Sequence, residues 1–287
     1  VSASGLPSVL RDGIQRNWSI RSITELPAVT FAQAGTRTKT CILEVTKLPE
    51  SCSVFMCGAR ELGFEVSSRK GVPYKREEGK NDLQPLLAVM SKARTSADLG
   101  DGEPRILSPD PSCVSLRQAI LKSKGWTPSH YSAERLAALS QIHCLRNGDE
   151  YDVTKLESIV TLPAKKEPRV LPSNGSKCIS VLHIGDLGYL NVREMLAYSP
   201  KTPGQPCTAG DVLFSKINPR IPRAIVVPRA GFALTCSSEF EVMRPKPGYD
   251  AYEILLLLLA ERTQKQIQSL TSGTSSSHYR IKTDQFL

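Results

Sequence analysis

Most of the residue groupings that enzyme chemistry needs are missing from this sequence. Its eight cysteines form no CxxC pair, and Cys52 and Cys57 stand apart from any histidine, so no zinc site is expected. The four histidines, His130, His143, His183 and His278, lack HxxxH or any comparable ligand spacing. A Walker loop, a Gly-x-Ser-x-Gly elbow and the acidic cluster of a metal-dependent nuclease are also missing. The leucine run Ile254–Leu259 is far shorter than the ~20 apolar residues of a membrane span, and no signal peptide is recognised. Several cysteines sit in strand-like apolar stretches, Cys41 before Ile42-Leu43 and Cys178 before Ile179, which reads as buried, reduced thiols in a cytoplasmic protein with no membrane partner. The chain starts at Val1 rather than methionine, which is expected of a processed, cleaved or truncated product.

What is present is a basic chain long enough for two domains. The 287 residues carry a formal net charge of +9, which favours an anionic partner. The excess is uneven: residues 1–100 carry a net +4 and 162–249 a net +6, whereas 101–161 carry −1 and 250–287 balance. The basic regions coincide with the two parts whose patterns predict folded β-structure.

Hydrophobic periodicity predicts a helix over 8–21, a short strand over 23–29, a buried strand over 40–45 and a second over 53–56. Ala59–Gly63 reads as a turn or short helix, and 81–94 as a helix with Leu83, Leu86, Leu87 and Met90 on one face. The Asp, Gly, Pro and Ser density of 95–115 predicts a linker, followed by helices over 115–124 and 132–144. Strands are predicted at 178–184, 211–214, 223–227, 232–236 and 240–243, and one long helix at 251–268.

The segment Thr208 to Arg220 carries the clearest functional pattern. A turn, Ala209-Gly210-Asp211, feeds the apolar strand Val212-Leu213-Phe214, which runs into a polar loop, Ser215 to Arg223. That loop offers Lys216, Asn218, Arg220 and Arg223 and is stiffened by Pro219 and Pro222. A rigid strand end presenting Lys, Asn and Arg suits base edges and the phosphates around them. Arg229 and Arg280 extend the basic set, and Tyr189 and Arg193 are candidates for stacking and backbone contact, with core packing the equal alternative for the tyrosine. An ordinary solvated loop beside a core strand has the same pattern.

The stretch Gly210-Asp211-Val212-Leu213-Phe214-Ser215 resembles the strand of DNA target-recognition domains in specificity subunits of type I restriction-modification systems. Three further stretches resemble that family in the same order: Ile179 to Leu187, Phe232 to Phe240, and Leu270 to Thr274 with Tyr279-Arg280-Ile281. Upstream, Gly35 to Lys47 resembles the late strand of N6-adenine DNA methyltransferases. Leu6-Pro7-Ser8-Val9-Leu10, Ile20-Arg21, Val54-Phe55-Met56, Glu61-Leu62-Gly63-Phe64 and Asn81-Asp82-Leu83 are similar to that family's neighbouring elements. In its basic loop Arg37 and Lys39 are candidates for DNA-backbone contact, with ordinary solvated loop charge the equal alternative.

The family's Asn/Asp-Pro-Pro-aromatic loop and its Gly-rich S-adenosylmethionine turn are both missing: Asn218-Pro219-Arg220 and Asp110-Pro111-Ser112 lack the second proline and the aromatic. Gly185-Asp186-Leu187-Gly188 reads as a turn. The resemblance therefore implies an α/β and α+β chain. Residues 1–95 would be the remnant of a Rossmann-like methyltransferase sheet, 96–150 a linker and helical connector, and 151–287 a β-rich target-recognition domain with a long C-terminal helix. It implies sequence-specific recognition of double-stranded DNA for an adenine-specific methyltransferase or restriction-modification enzyme. Methyltransferase or restriction subunits would be its partners. No catalytic, cofactor or metal residue is assigned in this chain, and S-adenosylmethionine is expected only for an intact enzyme. Two alternatives are a stand-alone specificity subunit that docks separate methyltransferase chains through helix 251–268, and a generic nucleic-acid-binding or scaffold protein.

Overall fold

The structure, a computed structural model, describes residues 6–47, 53–69, 71–95, 104–147, 153–163, 168–170, 175–219, 221–271 and 279–286. These residues form a mixed α/β protein with several open sheets, divided into two units, Val1–Ser140 and Gln141–Leu287.

Unit 1 begins with α1 (Leu6–Asn17), β1 (Ser19–Leu26), β2 (Thr40–Thr46) and β3 (Ser53–Gly58). There follow β4 (Leu62–Arg69), β5 (Val72–Asn81), α2 (Leu83–Thr95), β6 (Arg105–Ser108), β7 (Ser112–Arg117) and α3 (Gln118–Lys124); α4 (Ala133–Asn147) crosses into unit 2. The sheet order is β2-β1-β3-β7-β6, with β1 parallel to β3 and the other pairs antiparallel. One face buries Ile20, Ile23, Val54, Met56, Val114 and Leu116 with Trp126; the other buries Phe55, Cys57 and Cys113 under Leu86 and Met90 of α2.

Several expectations are corrected here. The first helix stops at Asn17, whose side-chain amide folds back to the Gly13 carbonyl at 2.8 Å. This leaves Ile20 and Ile23 free to enter β1, where both are fully buried. Strand β2, expected to be buried on both faces, is an edge strand with half-exposed residues and Ile42 in solvent, because only β1 pairs with it. Residues 105–108 and 112–117, inside the stretch expected to be linker, are strands, and β7 lies between β3 and β6. Four of the six β7 residues are buried, so the sheet captures a segment whose flanks look like loop. Residues 62–81, where only a turn or short helix was expected at the start, form the antiparallel hairpin β4–β5. All ten residues of β5 are exposed, so no apolar alternation marks it.

Unit 2 contains α5 (Leu156–Ile159), β8 (Val160–Thr161), β9 (Lys177–Ile179), α6 (Val192–Ala197), β10 (Gln205–Cys207), β11 (Val212–Ser215) and β12 (Ala224–Val226). It is completed by β13 (Leu234–Cys236), β14 (Phe240–Pro245), α7 (Ala251–Leu259) and α8 (Glu261–Ile267). Two sheets result, ordered β12-β11-β14-β8 and β10-β13-β9. The continuous apolar run of β11 follows from cover on both faces. Val212 and Phe214 join Met243, Ile254, Leu255 and Ile281 in one cluster, while Leu213 joins Ile179, Ile225, Phe240 and Val242 in the other.

The expected long C-terminal helix is broken. Ala260 is extended (φ −61°, ψ 136°), and α8 starts after it. The break turns the chain so that Ile267 and Leu270 pack into the same cluster as Ile254 and Leu258. Buried Gln264 holds the corner by donating its amide to the Leu258 carbonyl at 2.6 Å. No helix among the described residues is long and apolar enough to cross a membrane.

Candidate nucleic-acid interface

The site grows from the turn that precedes β11. Gly210 has φ 89°, a conformation in which a side chain is strained, and its N–H donates to the Val227 carbonyl at 3.0 Å. Asp211, 1% exposed, accepts from the Thr208 backbone N–H at 2.9 Å and its hydroxyl at 3.0 Å. Arg244 on β14 then donates to both of its oxygens, from Nε at 2.8 Å and Nη2 at 3.0 Å. This fork fixes the register in which Val212, Leu213 and Phe214 pair with Met243, Val242 and Glu241.

Past β11 the basic loop is pinned by backbone bonds rather than left free in solvent. Ser215 N–H donates to the Arg223 carbonyl at 2.8 Å, closing the loop on itself. Lys216 N–H donates to Glu239 O at 2.8 Å, Asn218 N–H to Tyr279 O at 2.7 Å, and Ile281 N–H to Lys216 O at 3.0 Å. Asn218 is left-handed (φ 48°), a conformation asparagine tolerates better than most residues.

The expected site residues divide into three groups. Lys216 and Arg280 have carboxylate partners inside unit 2. Lys216 Nζ lies 3.2 Å from Oε2 of Glu241, which is buried on β14 and also accepts from the Thr283 hydroxyl. Arg280 forks onto Glu239, with Nε to Oε2 at 3.0 Å and Nη2 to Oε1 at 2.8 Å. Hydrogen bonding and charge from Glu239 raise the guanidinium pKa above its ordinary value. These pairs, with Asn218 and the Arg223 backbone, form one connected loop system.

Arg193, Arg223 and Arg229 form the second group. Arg193 is exposed on α6, Arg229 is exposed beyond β12, and Arg223 is half-buried before β12. Among the described residues none of the three has an acidic partner. Arg223 and Arg229 flank the two ends of β12. Tyr189 is 68% exposed, on a turn whose Gly188 abuts the Ala224 carbonyl beside Arg223. Arg220 lies outside the described residues.

Arg37 and Lys39 are the third group and belong to unit 1. Arg37 donates to the Val66 carbonyl at 2.7 Å, tying its loop to the β4–β5 hairpin, and Lys39 pairs with Glu25 at 2.8 Å.

The acidic partners Asp211, Glu239 and Glu241 were not singled out from sequence; the pairing that sets Glu241 opposite Phe214 belongs to the β11–β14 register. His183, buried, accepts the Ser180 backbone N–H on Nδ1 at 3.0 Å, and burial lowers its pKa, so it serves the fold as a neutral ring. Five cysteines are buried; burial raises the Cys178 thiol, Cys144 is exposed, and Cys52 lies outside the described residues. Among the described residues no three His, Cys, Asp or Glu side chains are grouped to hold a metal.

No known protein family matches the sequence, and no curated protein matches it. Among solved structures the chain is similar to the type IIG restriction endonuclease BpuSI, with 10% sequence identity and a TM-score of 0.34 over 100% of this chain and 38% of that one. The chain thus spans well under half the length of that enzyme. At this distance the likeness assigns neither a family nor an activity.

Proposed function

We propose that unit 2 binds duplex DNA and reads its sequence, and that the chain supplies target recognition for an adenine-specific methyltransferase of a restriction-modification system. The observation that carries this reading is the pinning of residues 215–219 and 221–223, the described parts of the loop. Backbone bonds at Ser215, Lys216 and Asn218 hold it in one shape, and Glu239 and Glu241 engage Arg280 and Lys216. The acids nearest the loop are thereby occupied within it, and Arg193, Arg223 and Arg229 remain available for phosphates.

In this reading Lys216 and Arg280 act chiefly by shaping the loop. Arg220 and Arg223 are the residues offered to base edges, Arg to guanine, while the Asn218 Oδ1 is buried within unit 2. Arg37 and Lys39 would add backbone contacts from unit 1. Unit 1 would be the edge of a methyltransferase sheet, a reading that rests on the motif order from Leu6 to Leu83. The one glycine pair considered for S-adenosylmethionine, Gly185 and Gly188, lacks the form of a cofactor turn. The Gly185–Gly188 turn closes a tight loop through the Gly185 N–H to Tyr189 carbonyl bond of 2.9 Å instead of opening a helix after a strand. No methyl-transfer step is assigned to these residues.

The test is competition between duplex DNA, single-stranded DNA and RNA of one mixed sequence at two salt concentrations. Duplex DNA is expected to win at both, with affinity falling steeply as salt rises. Preference for RNA or single strands sinks this reading in favour of a generic nucleic-acid binder.

A further inference from the structure

Residues 184–190 form a tight loop with an unusual apex. An antiparallel bridge joins Ile184 to Leu190, and Gly185 N–H donates to the Tyr189 carbonyl at 2.9 Å, closing its neck. Gly188 rests the loop on the body of unit 2. A side chain at that position would lie 3.2 Å from the Ala224 carbonyl and 3.3 Å from Leu255 Cδ2, and its φ of 77° suits only glycine well. The apex residue is Leu187. It is left-handed at φ 60° and ψ 25°, and its side chain is 87% exposed, the highest value for a large apolar residue among the described residues.

A branched side chain gains nothing for the fold in that position. Its backbone is strained, its apolar surface stays in water, and a glycine would relieve both costs. The neighbours of the apex indicate what it meets. Tyr189 is 68% exposed two residues on, and the Ala224 carbonyl that braces Gly188 follows Arg223, a cation with no acidic partner among the described residues. An apolar tip on a closed loop, with an exposed aromatic two residues on and the foot of the loop resting on the strand that follows Arg223, matches the chemistry of a side chain inserted between stacked bases while arginine holds a nearby phosphate. We propose that Leu187 is a wedge that enters the base stack of duplex DNA and opens a step beside the residues that read sequence. The proposal rests on the reading of unit 2 as a duplex-binding unit and adds to it a deformation of the duplex.

The experiment compares the full chain with Leu187→Gly on two roughly 30-base-pair duplexes of one mixed sequence, one intact and one with a single central abasic site, where unstacking is already cheap. Wild type is expected to prefer the abasic duplex by about 10-fold or more. Leu187→Gly is expected to lose that preference, keep its affinity for intact duplex within about 3-fold, and melt no lower than wild type. If wild type binds intact duplex without preference, or the glycine variant keeps the preference, the wedge is wrong and duplex binding stands. A glycine variant that melts below wild type makes Leu187 a packing residue and overturns the proposal. Failure of wild type to bind either duplex removes the wedge and the proposed function together.

Discussion

Phe214→Ala is expected to destabilise unit 2 by roughly 3–5 kcal/mol, the range for truncating a fully buried aromatic in a packed core. Phe214 is 0% exposed in the centre of β11, with Ala224 and Glu241 as its cross-strand neighbours on β12 and β14. Its ring packs on Phe286 at 5.0 Å between centroids and joins Val212, Met243, Ile254, Leu255 and Ile281 in one cluster. The cavity would therefore open where sheet, α7 and the C-terminal segment converge, and no single element could collapse to fill it. Because domains hold only about 5–15 kcal/mol in all, the loss should bring unit 2 near its unfolding threshold at moderate temperature. DNA binding should fall with it, since β11 positions the basic loop. Urea denaturation followed by circular dichroism, with amide exchange across β11–β14, checks this. An unchanged midpoint with full protection of β11 would mean that Phe214 is not the keystone of this cluster.

Removing Arg193, Arg223 and Arg229 together is expected to have the largest effect on binding while leaving the fold intact. Each is a cation without an acidic partner among the described residues, so truncation breaks no ion pair there. If each neutralises one phosphate, the triple alanine variant should lose about 2.7 from the slope of log affinity against log salt, and on the order of 100-fold in affinity at low salt. Lys216→Ala should behave differently. It takes the Lys216 ammonium away from Glu241, 4% exposed, and leaves that buried charge with the Thr283 hydroxyl, so it should cost stability as well as binding. Fluorescence anisotropy with a fixed duplex over a salt series gives the slope, and thermal melting separates the two cases. A triple variant with the wild-type slope would place the DNA-binding surface elsewhere.

The core strands were legible because burial on both faces writes itself as an apolar run, as in Val212-Leu213-Phe214 and Val54-Phe55-Met56. Strand β7 was not, because its buried residues Cys113, Val114 and Leu116 are only a short patch among Asp, Pro and Ser. Strand β5 carries no apolar signal since all of it faces solvent; its pairing with β4 and the Gly71 turn (φ 81°) define it. The break at Ala260 was also hidden: alanine is the strongest helix former, and only the tertiary burial of Gln264, Ile267 and Leu270 selects the extended conformation there.

The basic residues of the site could be named from sequence, but their partners could not. Which cation meets Glu239 or Glu241 depends on a bridge between Ile217 and Arg280, more than 60 residues apart in the chain. The same holds for Leu187. In sequence it is one residue of a Gly-Asp-Leu-Gly turn, and only the backbone angles and the brace on Ala224 distinguish it.

Recognition of DNA sequence by this chain is measured most directly by selection from a random duplex library at two salt concentrations, with sequencing of the retained DNA. A short shared motif is expected that persists at the higher salt, where phosphate-driven binding has weakened. Salt-sensitive retention with no shared motif at either concentration would contradict sequence recognition and leave only a basic surface.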